Sequence, residues 1–392
     1  MEDHALSPRW MAVGRSDRRD AGEAGADAAR QALAGGDDPR LLIVFAADRF
    51  DAPALLAGIR SVAPTVPLIG CSTAGEIASS GPGEAGVVVT ALGGAGFRVA
   101  TRAAARLSAG LRAGGAAAAQ ALDEVAGMPY RVLLLLADGL AGDQQEIVRG
   151  AYGVAGAAVP LVGGCAGDDL RMVATRQFHD DRVLTDAVVA AAVGSEAPFG
   201  IGVRHGWRRV GEPMLVSASS GSRVMLLDDR PALDAYLMRL DAPDAARTDA
   251  AAFTAFAQTH PLGLARRSGE EHVRFVAEAD FERRELVCIA EVPTGGLAWL
   301  MEGDASSVLD ATDAACIEAL SALGGRPPLG LLTFDCIARK SVLGVGVGDE
   351  VARVASHAGE APVAGFYTYG EIARTRGVTG FHNQTLVVLA LS

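Results

Sequence analysis

Pro67-Leu68-Ile69-Gly70-Cys71-Ser72-Thr73-Ala74-Gly75-Glu76 decides the fold, because the chain writes the same phrase twice more. Pro160-Leu161-Val162-Gly163 runs on to Gly167-Asp168, and Pro362-Val363-Ala364-Gly365 runs on to Gly370-Glu371. Each copy is Pro and two apolar residues leading into a glycine-rich loop that closes on Gly and a carboxylate. Upstream stand Leu41 to Ala46, Val132 to Ala137 and Leu329 to Phe334, continuous apolar runs of the kind buried on both faces of a parallel sheet. Downstream stand Val87 to Leu92, Ala187 to Val193 and Thr385 to Leu391. Each unit therefore reads as strand, helix, strand, loop, strand. Its first two strands are parallel through a right-handed crossover. The Pro opening the second strand sits where a missing N–H is tolerated.

A strand and a helix precede each unit. Trp10 to Val13 leads into Asp20 to Leu33, Phe97 to Thr101 into Leu107 to Val125, and Leu297 to Met301 into Ser306 to Leu323. The helices are Ala-rich and start near Asp or Ser, residues that cap a first turn. Ala and Gly abundance over 102–127 predicts close helix packing. From Pro198 to Val292 the repeat is interrupted. Short strands (Gly202 to Arg204, Met214 to Ser217, Arg223 to Leu227), a helix from Pro231 to Leu240 and a hairpin-like pair, Val273 to Ala277 with Glu285 to Glu291, are expected there. The resulting expectation is an α/β protein of mixed, largely parallel sheets, built from three internally repeated units in two domains. Residues 1–235 carry two units and residues 236–392 the third, with the boundary near Tyr236.

A chain of 392 residues is long enough for two cores. Its net charge of -12 and lack of a basic face argue against nucleic acid. The single lysine, Lys340, follows Arg339 and lies outside any Gly-Lys-Ser/Thr loop, which excludes a P-loop nucleotidase. Gly344-Val-Gly-Val-Gly348 lacks the strand and acid of a dinucleotide loop and reads as a flexible link. No run approaches the roughly 20 apolar residues of a membrane span, and the charged first residues have no signal-peptide core, so no membrane partner and a cytoplasmic location are expected. Cys71, Cys165, Cys288, Cys316 and Cys336 form no Cys-x-x-Cys pair, which speaks against disulfides and structural zinc.

Ligands of open α/β sheets sit beyond the carboxyl ends of the strands, where all three loops fall. Cys71, Ser72, Thr73 and Glu76, Gly164, Cys165 and Asp168, and Tyr367 and Thr368 are the candidates there. Alternatively, the glycines serve only tight turns and the acids satisfy local N–H groups. In the third unit the two parallel strands exit through Cys336 and Arg339 and through Tyr367 and Glu371, so that these four border one cleft. A guanidinium grips a carboxylate and Glu371 receives an ammonium, a pairing suited to an amino acid or similar zwitterion. The alternative is that Arg339 and Glu371 pair with each other. His382 and Asn383 form a third wall. His205-Gly206-Trp207 either stacks a planar ligand or anchors a hairpin.

The combination of Ile69-Gly-Cys-Ser-Thr-Ala-Gly-Glu-Ile77, Val162-Gly-Gly-Cys-Ala-Gly-Asp168, Gly202-Val-Arg-His-Gly-Trp207, Phe334-Asp-Cys-Ile-Ala-Arg339 and Gly365-Phe-Tyr-Thr-Tyr-Gly-Glu-Ile372 with His382-Asn-Gln-Thr385 resembles the FIST (F-box and intracellular signal transduction) sensory proteins. The resemblance covers nearly the whole chain, an N-terminal FIST domain followed by a C-terminal one. It implies a non-enzymatic sensor of a small ligand, amino acids having been proposed, that regulates a separate partner such as a histidine kinase or a cyclic-nucleotide enzyme. No F-box precedes the domain, so the ubiquitin-ligase branch is not implied. Some members bind haem and report nitric oxide, which makes haem b an alternative ligand with His205, His260 and His382 as axial candidates. A third reading, from a different class, is a hydrolase or transferase using Cys336 or Cys71 as nucleophile, with Arg339 lowering the thiol pKa of Cys336 and His382 as base.

Overall fold

The computed structural model describes residues 8–265, 272–375 and 380–392. The opening residues Met1 to Ser7, part of the signal-peptide argument, lie outside it.

The first unit comprises β1 (Trp10–Ser16), α1 (Ala21–Leu33), β2 (Pro39–Ala47), α2 (Ala52–Val62), β3 (Leu68–Thr73), β4 (Glu76–Ala78), β5 (Gly81–Gly83) and β6 (Val87–Gly93). The second comprises β7 (Phe97–Ala105), α3 (Leu111–Ala119), β8 (Tyr130–Ala137), α4 (Gln144–Ala155), β9 (Leu161–Cys165), β10 (Gln177–His179), β11 (Arg182–Leu184) and β12 (Ala187–Ser195). The third opens with β13 (Phe199–Arg204) and is interrupted by an insertion: β14 (Arg208–Ser220), β15 (Arg223–Leu227), β16 (Arg230–Pro231), α5 (Ala232–Arg239), α6 (Ala250–Ala257), β17 (Leu262–Leu264), β18 (His272–Arg274), β19 (Val276–Asp280), β20 (Glu285–Cys288) and β21 (Leu297–Glu302). It resumes with α7 (Ala305–Ser321), β22 (Gly330–Cys336), α8 (Ile337–Leu343), α9 (Val347–Ala358), β23 (Val363–Thr368), β24 (Glu371–Arg374), β25 (Phe381–His382) and β26 (Leu386–Leu391).

The mixed α/β architecture predicted from the repeat is present. In each unit the strand that enters the glycine-rich loop pairs in parallel with the long strand before it: β3 with β2, β9 with β8, β23 with β22. The closing strand lies antiparallel on the other side, as β6, β12 and β26. Asp20, Asp51, Asp143 and Asp304 cap α1, α2, α4 and α7 by accepting a first-turn backbone N–H. α3 is shorter than expected because 3-10 turns at Leu107–Ala109 and Gln120–Val125 flank it, and its entry residue, Gly110, offers no side-chain cap. The close helix packing read from Ala and Gly is real. A methyl group on Gly150 would stand 1.9 Å from the Arg112 carbonyl oxygen, and one on Gly115 2.1 Å from that of Ile147, so α3 and α4 touch backbone to backbone.

Two features differ from expectation. Leu297 to Met301 is a strand, but it does not edge the third sheet. It pairs with β14 and β17 in a separate antiparallel sheet of the insertion. The edge of the third sheet is β13, antiparallel to β26, and it lies N-terminal to the 235/236 division drawn from the sequence. Gly344 to Gly348 is no flexible link, since a 3-10 turn at Gly344–Gly346 joins α8 directly to α9.

The units also exchange their short hairpins. β4–β5 of the first unit joins the third sheet beside β23. β10–β11 of the second joins the first sheet beside β3, and β24–β25 of the third joins the second sheet beside β9. Each glycine-rich loop is therefore the point where the chain crosses from its own sheet to its neighbour's, and the three crossings form a closed ring. Among the described residues, no helix is long and apolar enough to cross a membrane.

Candidate functional site

At the centre of that ring the loops bond one another. Ala74 N donates to the Tyr367 carbonyl at 3.1 Å and Tyr367 N to that of Gly75 at 2.8 Å. Tyr369 N donates to Cys165 O at 3.1 Å and Cys165 N to Gly370 O at 2.8 Å. Gly167 N donates to Ser72 O at 3.0 Å, while Ser72 Oγ donates to Gly167 O at 2.8 Å. Close approach explains the glycines. A Cβ on Gly164 would fall 2.5 Å from Thr368 Cγ2, and one on Gly370 2.4 Å from the Phe381 ring.

Two loops carry the same internal device. Thr73 donates its hydroxyl proton to Glu76 Oε1 at 2.7 Å, and Thr368 does the same for Glu371 Oε1 at 2.5 Å. The other oxygen accepts the backbone N–H just before the closing strand, from Gly86 at 3.0 Å and from Thr385 at 3.2 Å. Burial, opposed by these hydrogen bonds, pushes Glu76 up to about 7 and Glu371 up to about 8. In the second unit Cys165 stands in the threonine's place. There Asp138 accepts the N–H of Asp186 at 2.9 Å, and Asp168 is turned to another task.

Asp168 accepts the backbone N–H groups of Met172, Val173 and Ala174, and the Tyr369 hydroxyl donates to its Oδ1 at 2.5 Å. Burial acts to raise the Asp168 carboxyl, but the hydrogen bonds outweigh it and hold it below its ordinary value. The same hydroxyl accepts from Asp168 N and Leu170 N, pinning a segment whose Asp169, Leu170 and Met172 all have positive φ. Tyr369→Phe should loosen this segment by about 1–3 kcal/mol, read as faster amide exchange over residues 168–174. Unchanged protection there would show that the hydroxyl does not hold it.

Most of the sequence-predicted ligand residues thus belong to the interlock. Cys71, Ser72, Thr73, Glu76, Cys165, Asp168, Tyr367, Thr368 and Glu371 are all buried, with Gly164 packed under Thr368. The charge clamp is corrected. Arg339 neither faces the loops nor pairs with Glu371. Its fully buried guanidinium donates to Asp335 Oδ1 at 2.9 Å, Thr312 Oγ1 at 2.9 Å, Glu350 Oε1 at 2.5 Å and the His205 carbonyl at 2.9 Å. The fork is fully buried among β22, α7, α9 and the segment after β13, and all three of its nitrogens are bonded there. His382 stands on β25, opposite Glu371, with Nε2 2.9 Å from the Ala373 carbonyl.

The ring does border a cavity of about 300 Å³, on its third-unit side. Cys336, Ile337, Ala338 and Ser341 form its floor at the carboxyl end of β22, and Tyr369 and Asn383 form a wall. Gly139, Leu170 and Met172 make the rim, while the insertion supplies the roof through Thr254, Gln258, Phe275 and Ile289. Among the described lining residues none is charged. The Asn383 side chain is 2% exposed and its Oδ1 has no hydrogen-bond partner among the described residues. Larger depressions, of about 540 Å³ at Arg60 and Asp180, about 570 Å³ at Glu146, Arg149 and Glu291 and about 360 Å³ at Asp228 and Arg239, are lined by ion-paired surface side chains.

Of the predicted residues, then, Cys336 and Asn383 reach the cavity. Tyr369 and the insertion's contributions were missed. Tyr369 had a readable signal, since the other two repeats carry Ala74 and Ala166 at that place. The three histidines offered as haem ligands, His205, His260 and His382, are not among the described lining residues of this cavity, with His260 stacked on Phe256 at 4.1 Å and Trp207 N donating to His205 Nδ1. His205-Gly206-Trp207 anchors, because the Trp207 indole donates to the Gln384 carbonyl at 3.1 Å. Nor is either cysteine an activated thiolate. Burial pushes Cys71 and Cys336 well up, and for Cys336 the Glu371 charge pushes the same way.

Comparison with known proteins finds two family models on this chain. The FIST N domain family model matches residues 40–230, and the FIST C domain family model matches residues 232–374. An uncharacterized protein of Mycobacterium tuberculosis strain CDC 1551 is 27% identical over 238 residues, covering 57% of this chain. One from strain H37Rv matches to the same extent. The aligned part is 59% of each relative's length, so the chain spans less than two thirds of the curated relatives it matches.

Proposed function

The chain belongs to the FIST family of sensory signal-transduction domains, and from that premise we propose that it reports a small, uncharged, largely apolar molecule held in the cavity beside Cys336 and Asn383. The observation that carries the reading is a cavity of about 300 Å³ at the carboxyl ends of the third unit's strands, walled without charge among the described residues and containing an amide oxygen that lacks a partner among them. That volume is at the lower end for small-molecule sites, and one convergent polar group among apolar walls is their usual make-up. An amino acid is disfavoured, because both of its charges would be buried without a counter-charge. The cavity joins three parts of the molecule, namely the third unit, the pinned 168–174 segment and the insertion. Occupancy therefore biases how they sit together, and a separate partner, such as a histidine kinase or a cyclic-nucleotide enzyme, reads the result.

Isothermal titration and thermal shift against neutral six-carbon alcohols and ketones, an amino-acid panel and haem test this directly. The neutral compounds should bind. Ala338→Trp, which fills the floor, should abolish their binding and leave the melting temperature of the unliganded protein within a few degrees. Binding of amino acids alone, a Soret band with haem, or undiminished binding by Ala338→Trp would each count decisively against the reading.

A further inference from the structure

We propose that the molecule held in the cavity is a neutral alcohol, and that Asn383 selects it by accepting a hydrogen bond from its hydroxyl group. This deepens the proposed reading of the cavity as a ligand site and rests on it. Asn383 lines the cavity and is 2% exposed, and its Oδ1 has no hydrogen-bond partner among the described residues. A buried amide oxygen without a partner is costly, and a bound group able to donate recovers that cost. The backbone around it is held from three sides. The Asn383 carbonyl accepts from Thr385 Oγ1 at 2.8 Å, the Gln384 side chain donates to the Gln258 carbonyl at 2.7 Å, and the Gln384 carbonyl accepts from the Trp207 indole. The acceptor is therefore set in place before a ligand arrives, which spares the cost of ordering it on binding.

The hydroxyl groups of the wall have no proton left to give. Tyr369 donates to Asp168 Oδ1, and its oxygen accepts from Asp168 N and Leu170 N. Ser341 Oγ donates to the Ile337 carbonyl at 3.2 Å, and Thr254 Oγ1 to that of Ala277 at 3.5 Å. Ser341 and Thr254 keep lone pairs but have no second proton, so what they offer is again acceptors. Cys336 adds a weak S–H donor, and the remaining amide, Gln258, is half-buried on the roof. A ketone or an ether, whose oxygen can only accept, leaves Asn383 Oδ1 unpaired. A carboxamide brings an N–H but also a carbonyl, for which these hydroxyls have nothing to donate. An alcohol matches, with its hydrocarbon body against Leu170, Met172, Phe275, Ile289 and Ile337.

The three units differ at this position. Before each closing strand a buried carboxylate accepts one backbone N–H, from Gly86, Asp186 and Thr385 in turn. Two residues earlier stand Glu84, Leu184 and Asn383. Glu84 is exposed and paired with Lys340, and Leu184 packs against the apolar core. Of the three, Asn383 is the neutral amide and the one that lines the cavity. A site built to bond a hydroxyl group discriminates against the analogue that lacks it.

The test titrates the purified full-length chain with 1-hexanol, methyl pentyl ether and 2-hexanone, neutral compounds with the same number of non-hydrogen atoms, by isothermal calorimetry. 1-Hexanol should bind about tenfold more tightly than either of the others. Asn383→Leu should erase that preference, weakening 1-hexanol about tenfold while the ether keeps its affinity. Equal affinities in the unmodified chain, tighter binding of the ether or the ketone, or a preference that survives Asn383→Leu overturns the proposal. Should Asn383→Leu not fold, the ratio of affinities in the unmodified chain decides. If all three compounds bind equally and Ala338→Trp abolishes their binding, only the choice of an alcohol fails. If none of them binds, the cavity reading falls with it.

Discussion

Arg339→Met should lower the free energy of unfolding by about 3–5 kcal/mol in denaturant melts at neutral pH. The guanidinium is fully buried between Asp335 and Glu350, themselves 1% and 2% exposed. Burial, then the charge of Glu350, pushes Asp335 well above its ordinary value. Burial also works against ionised Glu350, but Arg339 outweighs it and keeps that carboxyl below its ordinary value. The cluster is thus one guanidinium between two acids, of which Glu350 is the one held ionised by Arg339. Methionine in place of the cation leaves the anion unpaired in a dry interior, the costly case for buried ion pairs. Arg339→Met with Glu350→Gln should therefore lose less than the sum of the single changes. Arg339→Lys should not rescue, because an ammonium cannot meet Asp335, Thr312, Glu350 and the His205 carbonyl from one rigid fork. A loss under about 1 kcal/mol for Arg339→Met would mean that the cluster is not the keystone described.

The repeat was legible because buried parallel strands are continuous apolar runs bounded by punctuation, and here the punctuation itself recurs. The hairpin exchange was not. β4, β5, β10 and β11 are three residues long each, and the partner of so short a strand is chosen by tertiary proximity, which no local pattern encodes. The strand that edges the third sheet went unassigned for a related reason. Leu297 to Met301 stands directly before α7 in sequence, whereas β13 is separated from α7 by the whole insertion. A signal existed in Gly200-Ile201-Gly202. Methyl groups on the two glycines would lie 1.8 and 1.9 Å from the Ala319 and Ala315 carbonyl oxygens, so this strand was built to pass beneath α7.

The site shows the same division between pattern and context. Comparing the repeats position by position singles out what the third unit does differently: Cys336 for Ala, Ile337 for Asp, Tyr369 for Ala. All three border the cavity. The residues in which the repeats agree, namely the glycines and the closing acids, hold the loops to one another. Arg339 was misread because its partners were judged by strand adjacency. Asp335, four residues before it, and Glu350, on the buried face of the following helix, were the nearer acids. Gln258 and Phe275, on the cavity roof, come from the insertion, which has no counterpart in the other units and so no repeat to reveal it.

Glu371→Gln should flatten the loss of stability that the unmodified protein suffers as pH rises from about 5 to about 8. An ordinary glutamate ionises near 4.5, the value for the unfolded chain, whereas folded Glu371 ionises at about 8. Between those limits the folded state binds more protons than the unfolded state, and stability must fall with rising pH. Each unit of displacement is worth about 1.4 kcal/mol, so the fall attributable to this group is of the order of a few kcal/mol. Glu76, displaced from 4.5 to about 7, adds a smaller fall in the lower part of the window. Asp168 acts with the opposite sign. Its lowered value adds stability above the ordinary aspartate range, and that contribution disappears only as pH drops below it. The two effects are separable by pH. Glutamine keeps its amide oxygen as the acceptor for Thr385 N and turns its NH2 toward the Thr368 hydroxyl, which can accept, while removing the charge that burial disfavours. Urea melts of the unmodified protein and of Glu371→Gln at pH 5, 6, 7 and 8 should accordingly converge at the acid end and diverge at the alkaline end, the variant being the more stable at pH 8. Parallel curves would place the Glu371 carboxyl in ordinary contact with solvent and contradict its burial beneath the ring of loops.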